Sequence, residues 1–549
     1  MIPIKILCGC GQKYAFDVEP VGGRIHQEVQ CPACGTDGTM TTNQLIAQHL
    51  AENPAPASGL RIAGQQRPAA VPPPPRHLAA AARDVNPVGV NVRNKWLILA
   101  LGGAAVFLLV FAGAVMFGRS FGRSYDRKAA PVAPVTGGND GLPQTLAELN
   151  AWYVEPPAGQ NAATFYLQGF DALQLANIDA LPFSSKAQLP ALGRVIPASI
   201  KSTLAAFVKS NQAALQLFAQ GAKYDRCRYP VDLTLGFDAL YPHGKKLGNA
   251  TRFLELTAIY HAEINQAEQA AKDILIGLAL ANSLLEEPAV LAQLPRTWGV
   301  AYAVEALEQT VNRTVLPAEA LSELAKVFQN MESSEARGDG FSRALAGERA
   351  MSLAALADPQ QLLRALAAPD LKMPADRRSQ ITVRLRQGEP LTAERDFFEA
   401  SFRRLMVARQ EPFPARLKSD VLGHELVTEA LDKKLVVLDL VLPSLGRRTA
   451  IEAECLARLR LGWTAVALEQ FRAAHGNRYP ASLSELTPDY LSATPADPFC
   501  GQPLRYQKKG AGYALYSVGP DLKDDSGERK KGKDGDVVFA VITPSRTSQ

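Results

Sequence analysis

The sequence predicts a mainly α, multidomain protein that ends in a small α+β unit. Three observations carry that expectation. At 549 residues the chain exceeds what one hydrophobic core organises, so several folded units joined by linkers are expected. Apolar residues at 47% with aromatics at only 7%, and Ala and Leu recurring throughout, favour helices packed on helices over a β-sandwich. Near the C-terminus helical spacing gives way to three short strand-like runs. In order, the expected parts are a cysteine-rich module (1–50), a Pro/Ala-rich disordered linker (51–93), one transmembrane helix (94–118) and a second linker (119–141). An α-helical array (142–445) and a helix with a small antiparallel sheet (446–549) complete the chain. The net charge of +5 is small for this length and spread along it, so no nucleic-acid partner is expected.

The first module holds Cys8, Cys10, Cys31 and Cys34 within a stretch rich in turn and strand signals. Four thiolates suit tetrahedral zinc, and a site filled entirely by protein ligands is structural. In so small a unit the metal would supply most of the folding free energy. His26 is an alternative ligand. The stretch "LCGCGQKYAFDVEPVGGRIHQEVQCPACG" resembles the short zinc ribbon found at the N-termini of many bacterial proteins, with Gly11 and Gly35 at the knuckle turns. Thioredoxin-like redox chemistry is less attractive, because "CPACG" runs into polar turn residues and not into a helix.

Met1 to Leu7 is too short for the apolar core of a signal peptide, so the N-terminus is expected in the cytoplasm. After the linker, Trp96 to Phe117 forms an uninterrupted apolar run without a charge, about the ~20 residues that cross a bilayer as a helix. Arg93 and Lys95 flank one end and Arg119, Arg123, Arg127 and Lys128 the other, so charge does not orient the span. The cytoplasmic start does, which places the protein in the inner (cytoplasmic) membrane as a single-pass chain with its C-terminal domains outside.

In the helical region "NATRFLELTAIYHAEINQAEQAAKDILIGLALANSLLEE" places apolar residues at helical spacing with small alanines where two helices would touch. It reads as a helical hairpin. The pattern is similar to half of a tetratricopeptide repeat, but it does not recur at a fixed period, so an irregular array is expected. His243, His261 and His424 stand isolated with no metal-type pair, and His261 reads as a packed, satisfied histidine. Gly118 to Gly122 spells G-x-S-x-G and Gly527 to Lys533 spells G-x-x-x-x-G-K. The first lacks a preceding strand, and Asp534 follows the second where a phosphate loop needs Ser or Thr.

The last unit opens with the helix "TAIEAECLARLRLGWTAVALEQFRAAHG" and continues through "PLRYQ", "GYALYSV" and "DVVFAVI". Tyr479-Pro480 and Asp497-Pro498 steer the chain around the helix in extended turns, and Gly510 and Gly512 mark a hairpin. Cys455 and Cys500 fall in this unit, and a disulfide and two unpaired thiols are both open. Asn477-Arg478-Tyr479-Pro480, then Pro495, Asp497-Pro498-Phe499, Gly501, Pro503 and Tyr516-Ser517-Val518-Gly519-Pro520-Asp521 resemble the C-terminal domain of the major (G-type) pseudopilin of type II secretion systems. The resemblance covers under a fifth of the chain and implies one helix against a small antiparallel sheet. It also implies calcium in the loop between the last strands, where Asp521, Asp534 and Asp536 match the family's carboxylates and Asp524 and Asp525 are further candidates. Lys523, Arg529, Lys530, Lys531 and Lys533 nearly cancel those acids. A pseudopilin's hydrophobic helix is continuous with its domain, whereas the apolar run here lies far upstream. The domain therefore reads as a borrowed module.

The functional expectation is a non-enzymatic, membrane-anchored scaffold or binding protein with structural zinc, no catalytic residues, and a protein partner in the envelope or a secretion apparatus; at the tail, calcium and a solvated, salt-bridged loop are both open. The alternative is an accessory component of a type II secretion or pilus-like apparatus. A hydrolase site within the helical domain is the third and least favoured class.

Overall fold

The computed structural model describes residues 2–7, 13–18, single positions between 29 and 46, and 141–174, 191–367, 373–442, 448–529 and 535–542. They fall into two compact units divided between residues 88 and 89.

In the first unit β1 (Ile2–Leu7) and β2 (Lys13–Val18) pair antiparallel, with Ile2 opposite Val18 and Leu7 opposite Lys13. Ile4, Val18 and Ile46 are buried together, with Phe16 and Val29 packed against them. The Val29 N–H donates to Thr39 Oγ1 at 2.9 Å.

Two expectations are corrected here. The membrane helix over 94–118, and the inner-membrane placement that rested on it, have no counterpart among the described residues, where no helix is long and apolar enough to cross a membrane. The reason is compositional: the long described helices carry Arg252 and Glu255, Arg296 and Glu308, or Glu452 and Glu469, well inside their spans. The run from Trp96 to Phe117 itself lies outside the described residues, as does the G-x-S-x-G stretch. Metal binding is likewise corrected, since no group of three or more His, Cys, Asp or Glu able to hold a metal ion is found among the described residues. Cys8, Cys10, Cys31 and Cys34, the ligands expected of a zinc ribbon, lie outside them.

The second unit is mainly helical. Thr145 and Glu148 form a capping box that opens α1 (Leu146–Trp152). α2 (Ala163–Ala172), α3 (Ala198–Ser210) and α4 (Gln212–Gly221) follow. α5 (Pro242–Glu263) and α6 (Ala267–Asn282) are the hairpin that the alanine spacing predicts. Its turn is closed by Asn265 at φ +60° and by the Gln266 N–H on the His261 carbonyl at 2.7 Å. α5 buries Leu247, Ala250, Phe253, Leu256 and Ile259 together with residues on its other faces, so it lies at the centre of the array and not on its surface. α7 (Val290–Val311) packs along both helices of the hairpin, and α8 (Ala318–Arg337) and α9 (Asp339–Ala357) follow, α8 against α6 and α9 against α7. α10 (Pro359–Leu366), α11 (Ala375–Arg386), α12 (Thr392–Arg409) and α13 (Lys418–Asp432) surround a core of their own that includes Leu385, Phe398, Phe402 and Leu438.

α14 (Thr449–Ala474) is the long helix read from the sequence. After it β3 (Arg505–Lys509), β4 (Gly512–Ser517) and β5 (Val537–Val541) form an antiparallel sheet in that order, with Lys509 opposite Gly512 and Tyr513 opposite Val541. One hydrophobic core runs from the array into this sheet: Leu278, Val300, Leu307, Leu324 and Phe328 meet Leu459 and Val466 of α14 and Leu515 and Phe539 of the strands. α14 approaches α8 at Gly462, where a Cβ would sit 2.6 Å from the Phe328 ring.

Candidate functional site

The sheet and the turns around it hold the residues of the family-like motif, and each has a physical task. Asn477 takes φ +62° just past the end of α14, and its N–H returns to the Arg472 carbonyl at 2.9 Å. Tyr479 then folds back so that its hydroxyl donates to Glu469 at 2.6 Å, while Arg472 bonds the same carboxylate at 2.9 Å. Burial raises the Glu469 pKa and Arg472 opposes that. Asp497 is 1% exposed and ties the loop to the end of β4. Its carboxylate accepts the Phe499 N–H at 2.9 Å, the Ser517 hydroxyl at 2.9 Å and the Val518 N–H at 2.8 Å. Gly519 stands at φ +68°, and a Cβ there would lie 2.3 Å from the Gly535 carbonyl oxygen.

The outer edge of β5 is closed by side chains. Glu308 of α7 accepts the Ala540 N–H at 2.6 Å and pairs with Arg529, whose pKa it raises. One turn further along α7, Asn312 donates to the Ala540 carbonyl at 2.9 Å and accepts the Ile542 N–H at 2.9 Å. Arg529 also donates to the Val538 carbonyl at 3.0 Å. Two helical side chains and one loop arginine thus stand in for a fourth strand.

The carboxylates matched to calcium are used differently. Asp521 accepts the Lys523 N–H at 3.0 Å. Asp536 accepts the Asp525 N–H at 3.3 Å and the Gly527 N–H at 2.9 Å, and its partial burial raises its pKa. Asp524 accepts the Ser526 N–H, the contact that most lowers its pKa, and the Tyr516 hydroxyl. Asp534 lies outside the described residues. The described acids hold the turns of their own loop.

Three polar clusters lie inside the array. The His243 ring stacks on Tyr229 at 4.2 Å, and its Nε2 reaches both Glu287 oxygens at 3.0 and 3.1 Å. Tyr153 donates to the same carboxylate at 3.3 Å. Burial, then Glu287, push the Tyr153 pKa well up. Ser283 hydrogen-bonds Tyr229 and the Leu280 carbonyl, not the imidazole, so the serine is not activated by the His–Glu pair. His261 Nδ1 meets Asp273 at 2.6 Å, the satisfied histidine expected from its spacing. His424 lies on the exposed face of α13, with Nδ1 on the Asp420 carbonyl at 2.7 Å. The third cluster joins Arg296 and Glu335 and, nearby, Arg409 and Arg416 on Glu452 at 2.6 and 2.9 Å. Burial pushes the Glu335 carboxyl up to about 7 against the pull of Arg296.

Cys227, Cys455 and Cys500 are free thiols, so the 455–500 bridge is not formed. Burial raises the Cys455 pKa well above its ordinary value, which leaves it a poor nucleophile. A shallow, open groove of about 500 Å³ runs along α11, lined among others by Met373, Arg378, Thr382, Val383 and Arg386, with neither carboxylate nor imidazole in its lining.

Sequence reasoning missed Glu308, Asn312 and the His243–Glu287 pair. The only local signal for the first two is their i, i+4 spacing on one helix face.

No protein-family model matches the chain, and neither the curated proteins nor the solved structures contain a match to it.

Proposed function

We propose that the chain is a non-enzymatic scaffold or binding protein whose terminal α+β unit is a pseudopilin-like cap carried on a helical array. The observation that supports this reading is the way the cap is held. Its sheet shares a core with α6, α7, α8 and α14, and its β5 edge is closed by Glu308, Asn312 and Arg529. A module fixed in this way presents a shaped surface to a partner; it is not free to repack into a fibre. The buried acid–base pairs fit the same reading. His243, Glu287, Tyr229 and Ser283 are at most 2% exposed and hydrogen-bonded into the packing, which makes them part of the frame.

A second reading, an accessory component of a type II secretion or pilus-like apparatus, is favoured by one feature: α14 and the three strands share one core, and the Asn477-to-Pro480 turn folds the chain back onto the helix through the Tyr479–Glu469 hydrogen bond. Photocrosslinkers at the exposed cap positions Gln502 and Leu522, in cells making the full chain, test both readings. Trapping one defined protein is expected. Pseudopilins among the trapped proteins would promote the second reading, and no trapped protein from either position would overturn both.

A further inference from the structure

The two edges of the sheet are treated oppositely. Gly510 at φ +62° begins a two-residue turn, so the flanking pair Lys509 and Gly512 exchange hydrogen bonds, as do Gln507 with Ala514 and Arg505 with Tyr516. That parity points the main-chain groups of Tyr506 and Lys508 away from β4. The same count on β5 points Val538 and Ala540 outward, and these are the groups that Arg529, Glu308 and Asn312 satisfy. Among the described residues no hydrogen bond reaches the main-chain N–H or C=O of Tyr506 or Lys508.

From this juxtaposition we propose that β3 is a strand-addition surface for an extended acidic segment of a partner protein. The inference rests on the scaffold reading and names its docking edge and the chemistry of its partner. β3 contains Arg505, Lys508 and Lys509 and no acid. Its side chains border the edge on both faces. Tyr506 and Lys508 lie toward the turn after α14, donating to the Pro480 and Tyr479 carbonyls at 2.9 and 3.3 Å. Arg505 and Lys509 lie on the other face, beside Asp524 at 3.6 Å and the Ser526 carbonyl at 3.3 Å. An added strand alternates its side chains between the two faces, so its acids meet Lys508 on one and Arg505 and Lys509 on the other. A second copy of this chain is the wrong occupant, because pairing β3 with β3 sets lysines against lysines. The strand keeps regular register through all five pairs and contains no proline, so its edge is straight.

The test is fluorescence anisotropy on the full chain with a labelled seven-residue peptide in which pairs of Glu alternate with pairs of Thr, so that acids fall on both faces of an added strand. The comparison probes are its Gln counterpart and a version N-methylated at the residues that would donate to β3. The Glu peptide is expected to bind about tenfold or more tighter than the Gln peptide and to weaken with salt. N-methylation should abolish binding. The double variant Lys508→Glu, Lys509→Glu, at two exposed positions, should lose about tenfold or more with an unchanged melting temperature. Equal binding of the Glu and Gln peptides, or undiminished binding of the N-methylated peptide, would overturn the proposal. A partner trapped equally by wild type and the double variant would overturn it too, while leaving the scaffold reading standing.

Discussion

Glu308 and Ala540 lie 232 residues apart in the chain and meet at 2.6 Å, a buried helical carboxylate accepting the N–H of an edge strand. Through this contact, and through Asn312 one turn on, the array replaces the missing neighbour of β5. Glu308 is 2% exposed. In Glu308→Ala the Ala540 N–H and the Arg529 guanidinium lose their acceptor. A loss of about 2–4 kcal/mol in urea unfolding is expected. Adding Asn312→Ala should cost less than its effect alone, because the two side chains serve one edge.

Asp497 is the second fixed point of the cap. Asp497→Asn keeps the shape but turns one acceptor into a donor facing the Phe499 or Val518 N–H or the Ser517 hydroxyl. Unfolding measurements should show a loss of about 2–3 kcal/mol. A change below about 0.5 kcal/mol would mean that the loop is held by other contacts.

Glu452 neutralises two buried arginines, Arg409 and Arg416, while Asp420 accepts the Thr449 and Ala450 N–H groups at the start of α14. Replacing Glu452 with Gln leaves two guanidiniums without a counter-charge. A loss of about 3–5 kcal/mol is expected, large enough to appear as reduced yield of folded protein.

The Glu335 carboxyl, raised by burial to about 7, makes stability depend on pH in a defined direction. Folding holds its proton more tightly than the unfolded chain does. Its favourable contribution is therefore complete below the ordinary carboxyl pKa and is lost as pH rises to about 7, after which it is constant. Relative to Glu335→Gln, wild type should lose on the order of 3 kcal/mol across that interval. Urea midpoints of the two proteins at several pH values check this, and a wild type that holds or gains stability relative to Glu335→Gln as pH rises would contradict the assignment.

Much of the architecture is legible in the sequence because it is local. The α5–α6 hairpin follows from alanines at helical spacing, and α14 ends close to the Gly and Asn that precede Tyr479-Pro480. Gly510 marks the hairpin turn as expected, while Gly512 belongs to β4 and is needed there because a Cβ would collide with the Val541 carbonyl. What is not legible depends on contacts remote in the chain. The change of character near Gly446 hides that α14 and the strands draw on Leu307 and Phe328 for their core. Nothing near His243 announces Glu287, because the pairing exists only once α5 and the segment before α7 are packed. Asp521 and Asp536 match a carboxylate pattern, yet their hydrogen bonds go to turn N–H groups of their own loop.

The central claim is that one edge of the terminal sheet is locked onto the array while the other is open. Native-state hydrogen exchange on the full chain reads both edges at once. The account predicts that the Ala540 and Ile542 amides exchange only through global unfolding, while the outward Tyr506 and Lys508 amides exchange orders of magnitude faster. Fast exchange at Ala540 and Ile542 through a local opening that leaves the array protected would contradict it. So would Tyr506 and Lys508 amides as protected as those of β4.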